Sequence, residues 1–555
     1  MRTETIRPAV ITAAAVFFFG LAFAIYTQHA WEDYLITFTC SQNLATGHGL
    51  VYTPGERLHT FTSPLGVLLP AGFCWLTGNR SDELVLWLFR LTSLAALAAG
   101  MVLLFQTLRR LLQQRLAIWV TLALVGLDAK LVDFSINGME TGLLFFFLAL
   151  AIHGLVVPGP RQMLRTGIGW AGLMWTRPDS FVYIGALGFS ALLFLSERTT
   201  GQSRRSLWKT FLLAGLVCTV LYLPWFVWAW HYYGSPVPHT IVAKAANRPP
   251  VSIAAQSVYL FLFPWTLLTD TTSAHWVFAP AEAFFGGWPA LILIPDLVLA
   301  LAAVFAWLFP GVRPHTRLFS LVFFLGNFYL TSVIASPHFA WYLPPVAVFG
   351  YLTLGLLFDQ MLCLAARSPQ PGEARRRLRL PAGAPGALAC LLVTGQLFIT
   401  LCVAREMRLQ QQIIETGQRR EIGLWLRAHA RTPHDTVMLE PLGYIGYYSG
   451  LKMYDYPGLA SKKMIEVRKQ LGPYREDEAF LKLKPDWMVL RPNEIVFSNF
   501  VIRRPLDENY EQVQKFDVSQ KIRDLRWVPG RPYLEFDQTF LIFHRKPDAR
   551  FEFHQ

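Results

Sequence analysis

Apolar runs broken by short polar loops dominate the first 404 residues of this 555-residue chain, and polar and charged positions gather beyond them. A helix crosses a bilayer core in about 17–25 residues, because every backbone polar group must be satisfied inside the segment. On that spacing eleven spans are predicted, at 9–28, 83–106, 116–127, 140–157, 165–175, 181–196, 207–230, 287–309, 317–335, 341–359 and 385–404. The third and fifth are short and read equally as broken or half-buried helices. Residues 64–76 and 258–268 are apolar but punctuated by proline, and are read as interfacial or re-entrant.

The pattern changes at residue 405. A charged helix over 405–429, strands at 436–439, 487–490 and 540–544, and a basic helix over 461–471 predict a mixed α/β soluble domain over 405–555. Gly443, Gly446 and Gly450 mark a turn-rich stretch inside it. No repeat of solenoid period occurs, and the one biased segment is the Pro, Ala and Arg linker at 368–386.

Composition agrees with a membrane protein: 53% of residues are apolar and 16% charged, against about 25% charged in globular domains. The formal net charge of +13 would also suit a nucleic-acid binder, so the placement of the charges decides. With the N-terminus in the cytoplasm, the cytoplasmic loops hold 18 basic residues and the opposite loops hold 6, Arg57, Arg80, Lys130, Arg177, Lys244 and Arg248. That asymmetry orients the chain by the positive-inside rule. Eleven spans then put 405–555 outside the cytoplasm, as a periplasmic domain, and a bacterial inner-membrane protein in contact with lipid, with no nucleic-acid partner, is expected. The first apolar segment has a second reading as a cleavable signal peptide, since it follows Arg2 and Arg7 and contains Ala22-Phe23-Ala24. The 6 cysteines show no C-x-x-C spacing, which argues against a zinc ribbon or a disulfide scaffold.

The external face carries acids in surplus and few cations. Its first loop, 27–82, is far longer than a connection requires and opens with Trp31-Glu32-Asp33-Tyr34. Acids at a helix end also mark a water interface, so the pair is not diagnostic by itself. The second loop brings Asp128, Asp133 and Glu140, and later loops bring Arg177, His239, Lys244 and Arg248. Arg177 has a second reading as a loop-stabilising partner of Asp179, and Lys244 as a side chain snorkelling beside the membrane. The aromatic residues from Trp225 to Tyr233 suit an interfacial belt, and His48 a glycine-flanked turn.

The first external loop then reads Trp31-Glu32-Asp33-Tyr34-Leu35-Ile36, Gly47-His48-Gly49-Leu50-Val51, Pro54-Gly55-Glu56-Arg57 and Phe61-Thr62-Ser63-Pro64-Leu65. This resembles the opening loop of bacterial GT-C fold membrane glycosyltransferases related to the mycobacterial terminal arabinofuranosyltransferases. Glu32 stands for the family's first Asp and Phe61 for its Tyr. Further likeness lies in Gly138-Met139-Glu140-Thr141, Thr176-Arg177-Pro178-Asp179, Gly234 to Thr240 with His239 in place of Asn, and Ala243-Lys244. Trp341-Tyr342-Leu343-Pro344 matches loosely and lacks the family's Arg. In the C-terminal region the likeness is confined to Gly443 to Ser449 and Asp455 to Leu459.

The resemblance implies a polytopic α-helical GT-C-like protein with about eleven transmembrane helices, a catalytic unit at 1–404 and an extracytoplasmic α/β domain at 405–555. It implies an inverting transfer of a sugar, a pentofuranose such as arabinofuranose, from a polyprenyl-phosphate donor to an extracytoplasmic glycan, lipopolysaccharide or protein acceptor. Asp33 is then the candidate base with Glu32 as neighbour or substitute, and Arg177, Lys244, Arg248 and His239 are candidate phosphate donors, since Arg offers a fork and Lys a point charge. Glu140, Asp128 and Asp133 form a second acidic cluster, which in relatives of the fold helps hold a divalent cation; no spacing fixes such a site here. A lipid or glycan transporter and a non-catalytic envelope or flagellar assembly scaffold are the rival readings. The ionisable residues well inside the spans are Arg90, His153 and Asp296, fewer than a transporter pathway leads one to expect.

Overall fold

The computed structural model describes residues 3–246, 276–334, 339–366, 381, 383–472, 478–497 and 503–551. It begins with nine helices: α1 (Thr3–Thr27), α2 (Glu32–Ala45), α3 (Pro64–Thr77), α4 (Asp82–Leu111), α5 (Arg115–Gly126), α6 (Ala129–Ile136), α7 (Thr141–Val156), α8 (Gln162–Thr176) and α9 (Phe181–Phe194). Helices at Arg204–Tyr233, Ala290–Phe305, Pro314–Phe328, Leu343–Ala366 and Ala384–Leu409 follow. Every predicted span lies on a helix, but the span count differs. Among the described residues six helices are long and apolar enough to cross a membrane, or seven if α6 and α7, bent by 120°, form one broken span. The short elements account for the difference, since α5 has 12 residues, α8 15, α9 14 and the helix Pro314–Phe328 15, below the ~17 that a crossing requires. Residues 64–76 form α3, an apolar helix of 14 residues, and 258–268 lie outside the described residues.

Interior polar groups of the helical region are satisfied locally. Arg90 is 1% exposed. Its Nε donates to the Ile136 carbonyl at 2.7 Å and its Nη2 to that of His29 at 2.5 Å. His153 meets the Thr107 hydroxyl at 3.2 Å. Arg90 thereby ties the end of α1 to the end of α6, and the chain leaving α1 is held in place just before Glu32 and Asp33.

The helix from Ala384 runs without a break through a π-helical segment, Gln410–Arg419, to His429. It leads into a five-stranded sheet of order β2-β1-β3-β5-β4, with β1 Thr436–Leu439, β2 Lys452–Asp455, β3 Trp487–Leu490, β4 Tyr510–Asp517 and β5 Thr539–Arg545. β1 pairs parallel with β2 and β3, while β5 pairs antiparallel with β3 and β4. The central strands TVML and WMVL are apolar throughout because helices and loops cover both their faces. β4 is an edge strand with exposed Glu511, Gln512 and Gln514 and a register shift at 512–514, devices that discourage edge-to-edge pairing.

The predicted turn-rich glycine stretch is instead a helix, Gly443–Ser449, which ends at Gly450 in the left-handed conformation. Its glycines serve close approach. A Cβ on Gly443 would come within 2.2 Å of the Glu32 carbonyl oxygen, and one on Gly446 within 2.3 Å of the Tyr52 hydroxyl. The helix therefore lies directly on the loop between α1 and α4. The Tyr444 hydroxyl donates to the Ala30 carbonyl at 3.0 Å, and the Tyr447 hydroxyl bonds Gln42 at 3.0 Å and Asp82 at 2.5 Å.

Beneath this contact lies a chain of buried charges. Arg419, 7% exposed, binds Glu32 at 2.7 Å and Glu415 at 2.9 Å, and also pairs with Asp537. Asp537 pairs in turn with Arg491, which reaches Glu440 at 2.8 Å and Glu494 at 2.7 Å. Removing one partner of a buried pair leaves its counter-charges uncompensated, at a cost of about 3–5 kcal/mol. Arg419→Ala is accordingly expected to lower the unfolding midpoint of the detergent-solubilised protein by several degrees, whereas Arg427→Ala, at an exposed position of the same helix, leaves it unchanged in the same thermal melt.

Candidate active site

Glu32 and Asp33 form the first turn of α2, where the helix dipole favours negative charge. Trp31, just before them, is fixed from two sides. Its backbone N–H donates to the Asn137 carbonyl at 2.8 Å, and its ring packs edge-on to Phe134 and Trp341 at 5.4 and 5.5 Å. The two acids then diverge. Glu32 is fully engaged, accepting from the Gly443 backbone N–H at 3.0 Å and pairing with Arg419. Among the described residues no hydrogen bond or ion pair reaches the Asp33 carboxylate; only its backbone carbonyl is bonded, by Thr37.

Asp33 stands between two cavities. The larger, about 400 Å³, lies between the helical region and the sheet domain, with Asp33, Lys244, Glu282 and Trp341 on one side and Glu440, Arg491 and Tyr533 on the other. The smaller, about 50 Å³, is walled by Thr60 to Ser63, Glu140, Arg177, Tyr342 and again Asp33 and Lys244. Burial raises the Asp33 carboxyl above the ordinary carboxylate range, opposed chiefly by the Lys244 ammonium. Glu282 is pushed up to about 8, first by burial and then by the neighbouring Glu406 and Asp133 carboxylates. At neutral pH it presents mainly a hydrogen-bond donor to the cavity instead of a charge.

Lys244 is half-buried. Its Nζ donates to the Tyr342 hydroxyl at 3.2 Å and faces the rings of Phe339 and Tyr342 at 5.1 and 5.3 Å. Among the described residues it has no carboxylate partner, so this cation in an aromatic cradle is available to an anion. Arg177 is in a different position. It is paired with Asp179 at 3.2 Å and Glu140 at 3.4 Å and stacked on Tyr342 at 4.4 Å. Its fork is occupied, and it shapes the small cavity by holding Glu140 and Tyr342.

The structure does not bring every candidate together. His239 faces away from both cavities, its Nε2 against the Gly458 carbonyl at 3.0 Å and its backbone N–H on the His59 carbonyl at 2.8 Å, so it joins the helical region to the sheet domain. Arg248 lies outside the described residues. The second acidic cluster is dispersed. Asp133 binds His29 at 2.9 Å and Asn137 at 3.0 Å, and Asp128 caps α6 through the Leu131 N–H and accepts from the Tyr351 hydroxyl at 2.8 Å. Glu140 alone of the three lines a cavity. Among the described residues no group of three or more His, Cys, Asp or Glu side chains is arranged to hold a metal ion. Conversely, Glu282, Arg419, Glu440, Arg491, Tyr533 and Asp537 line the larger cavity without having stood out in the sequence. They come from distant segments that only the fold assembles, and the available hint, Arg491-Pro492 at the end of a predicted strand, is slight.

Over 262 residues the chain is 26% identical to the terminal beta-(1->2)-arabinofuranosyltransferase of Corynebacterium glutamicum, covering 42% of this chain and 36% of that protein. Over 264 residues it is 29% identical to the protein of the same name from Mycobacterium tuberculosis, covering 42% and 38%. The sequence likeness is thus to the terminal arabinofuranosyltransferases. It spans little more than a third of either relative's length. Residues 405–542 match the family described as a domain of unknown function, DUF8728. In solved structures, the apo oligosaccharyltransferase of Archaeoglobus fulgidus superimposes with a TM-score of 0.49 at 13% identity, over 86% of this chain and 69% of its own. ArnT from Cupriavidus metallidurans bound to undecaprenyl phosphate does so with a TM-score of 0.47 at 14% identity, over 100% of each chain.

A raised Asp33 carboxyl keeps its proton to higher pH than an exposed acid does. Carbodiimide, which reacts with the protonated form, is expected to label Asp33 up to a pH above the ordinary carboxylate range, as mapped by peptide mass spectrometry. Lys244→Gln is expected to move the Asp33 midpoint higher still, because the opposing cation is lost.

Proposed function

We propose that the chain is an inverting GT-C-type glycosyltransferase that transfers a sugar from a polyprenyl-phosphate donor to an extracytoplasmic glycan acceptor. The observation that carries this reading is the Asp33 carboxylate between two cavities, unpaired among the described residues, with the Lys244 cation, which has no carboxylate partner among them, bordering both. Asp33 accepts the proton of the acceptor hydroxyl as its oxygen attacks the anomeric carbon from the face opposite the leaving group. The bond from that carbon to the phosphate oxygen breaks, and the lipid phosphate leaves with the electron pair. Lys244 stabilises the charge that develops there, a role suited to a compact cation in a partly desolvated site.

Arg177 orients Glu140 and Tyr342 around the donor without carrying the phosphate itself. The partly exposed Glu440 carboxylate, held by the buried Arg491, faces the acceptor hydroxyls from the opposite wall, with the Tyr533 ring beside it. The names of the two sequence relatives favour arabinofuranose as the sugar. The orientation read from the loop charges puts the cavity and the sheet domain on the extracytoplasmic side, and 405–555 serves as the acceptor-bearing unit.

The test is to reconstitute the protein in liposomes with a panel of polyprenyl-phosphate sugars and a glycan acceptor and to follow transfer by mass spectrometry. Transfer of a pentofuranose with release of polyprenyl phosphate is expected, at a rate that falls as pH drops through the raised Asp33 pKa. The base must be deprotonated, so the acid limb lies above the range of an ordinary carboxylate. No transfer from any lipid donor would refute the proposal.

A further inference from the structure

The helix from Ala384 carries an exposed stripe, Ala387, Leu391, Thr394, Phe398 and Leu401, at alternating steps of four and three residues. Leu391, Phe398 and Leu401 are 68%, 49% and 56% exposed, as befits a helix face turned to lipid. The stripe ends at Arg405, also exposed. There a segment of the sheet domain continues it. The Arg405 Nη2 donates to the Arg526 carbonyl at 2.7 Å, and the next residue, Trp527, lays its indole 6.2 Å from the Phe398 ring.

Trp527 is 59% exposed and has φ of +30°, a left-handed backbone that a tryptophan adopts only at a cost. The turn is nonetheless held from within. Val528, Ile522 and Leu534 pack with Ile414 in a buried cluster, and a Cβ on Gly530 would overlap Glu406. The turn is thus rigid at its base, with a bulky ring turned outward. Its backbone meets the end of the Arg405 side chain while its ring leans on Phe398, which lies seven residues or roughly 10 Å further down the helix axis than Arg405.

The charges at this level have one prevailing sign. Arg405 and Arg526 have no carboxylate partner among the described residues. Arg408 stacks over Tyr26, near the end of α1, at 4.7 Å. The nearby Asp524 is engaged by the Gln520 amide at 2.8 Å.

We propose that the Leu525–Gly530 turn is a membrane anchor of the sheet domain, with the Trp527 indole among the acyl chains beside Phe398 and the Arg405, Arg408 and Arg526 guanidiniums on anionic lipid headgroups. The occupant is a bilayer because the patch is continuous with the lipid-facing stripe of a spanning helix and ends in a cationic rim. The proposal is independent of the sugar chemistry. It also bears on the cavity, since the turn leads directly into Tyr533, Phe536 and Asp537 on the cavity wall.

The full chain and Trp527→Phe, which keeps a ring on Phe398, are placed in nanodiscs of phosphatidylcholine and phosphatidylglycerol in equal parts, with plain or acyl-brominated lipids. The emission difference between the two proteins reports Trp527 against the other tryptophans. It is expected to be bright in plain lipid and largely quenched in brominated lipid. An equally bright difference in both overturns the acyl placement, including the case in which a second copy of the chain covers the ring. Phosphatidylglycerol retained in native mass spectra is expected to fall about fivefold for each charge removed in Arg405→Gln and Arg526→Gln. Unchanged retention overturns the headgroup contact.

Discussion

The Glu32 carboxylate, gripped by the Arg419 guanidinium and the Gly443 backbone N–H, is the contact on which the rest of the architecture depends. It joins three separate pieces: the loop leaving the first membrane helix, the long helix that rises from the last one, and the sheet domain. Arg419 is not free to serve Glu32 alone, because Glu415 and Asp537 share it and Asp537 is shared with Arg491. Such a buried ionic chain adds little net stability over an apolar equivalent, but breaking any one link leaves its buried partners uncompensated. That arrangement sets the larger cavity, whose two walls belong to different parts of the chain.

Adjacent acids on one helical turn consequently perform opposite tasks. Glu32 spends its charge on structure, and Asp33, one residue on, has no hydrogen-bond or ion-pair partner among the described residues at the junction of two cavities. Of the other acids nearby, Asp133 is engaged by His29, Asp128 by Tyr351 and Glu140 by Arg177, while Glu282, which also lines the larger cavity, is kept mainly protonated by burial. The cations divide in the same way: Arg177 and Arg419 are paired with carboxylates, and among the described residues Lys244 is held by a hydroxyl and aromatic faces alone. A free carboxylate and a free ammonium remain where a substrate can reach both. This selection by elimination supports the assignment more firmly than the residue types do.

Much of this was legible in the sequence where the signal is local. The apolar runs located the long helices of the membrane region, whereas α2 and α6 lie in stretches that read as external loops; β1 and β3 fall on their predicted residues because continuous short apolar runs are distinctive. β2 and β4 were not, since KMYD is short and YEQVQKFD is a polar edge strand with no core-facing alternation to reveal it. The glycines at 443 and 446 read as turn residues, yet they are helical and small so that α2 can approach. In the site, Asp33, Lys244, Arg177 and Glu140 were found from their loops and motifs and do come together. Asp128 and Asp133 were grouped by proximity in sequence, but they point to different partners. Arg419, Glu440, Arg491 and Asp537 act through contacts 46, 51 and 118 positions apart, which no local pattern encodes.

The most direct measurement of the central claim separates binding from turnover in Asp33→Asn, a substitution that keeps the side chain's size and removes its basicity. Donor affinity, measured with a polyprenyl phosphate on the reconstituted protein, should stay close to that of the wild type, while transfer to the acceptor falls by about two to four orders of magnitude. Equal transfer rates in the two proteins would contradict the account, because the free carboxylate at the cavity junction would then not be the base.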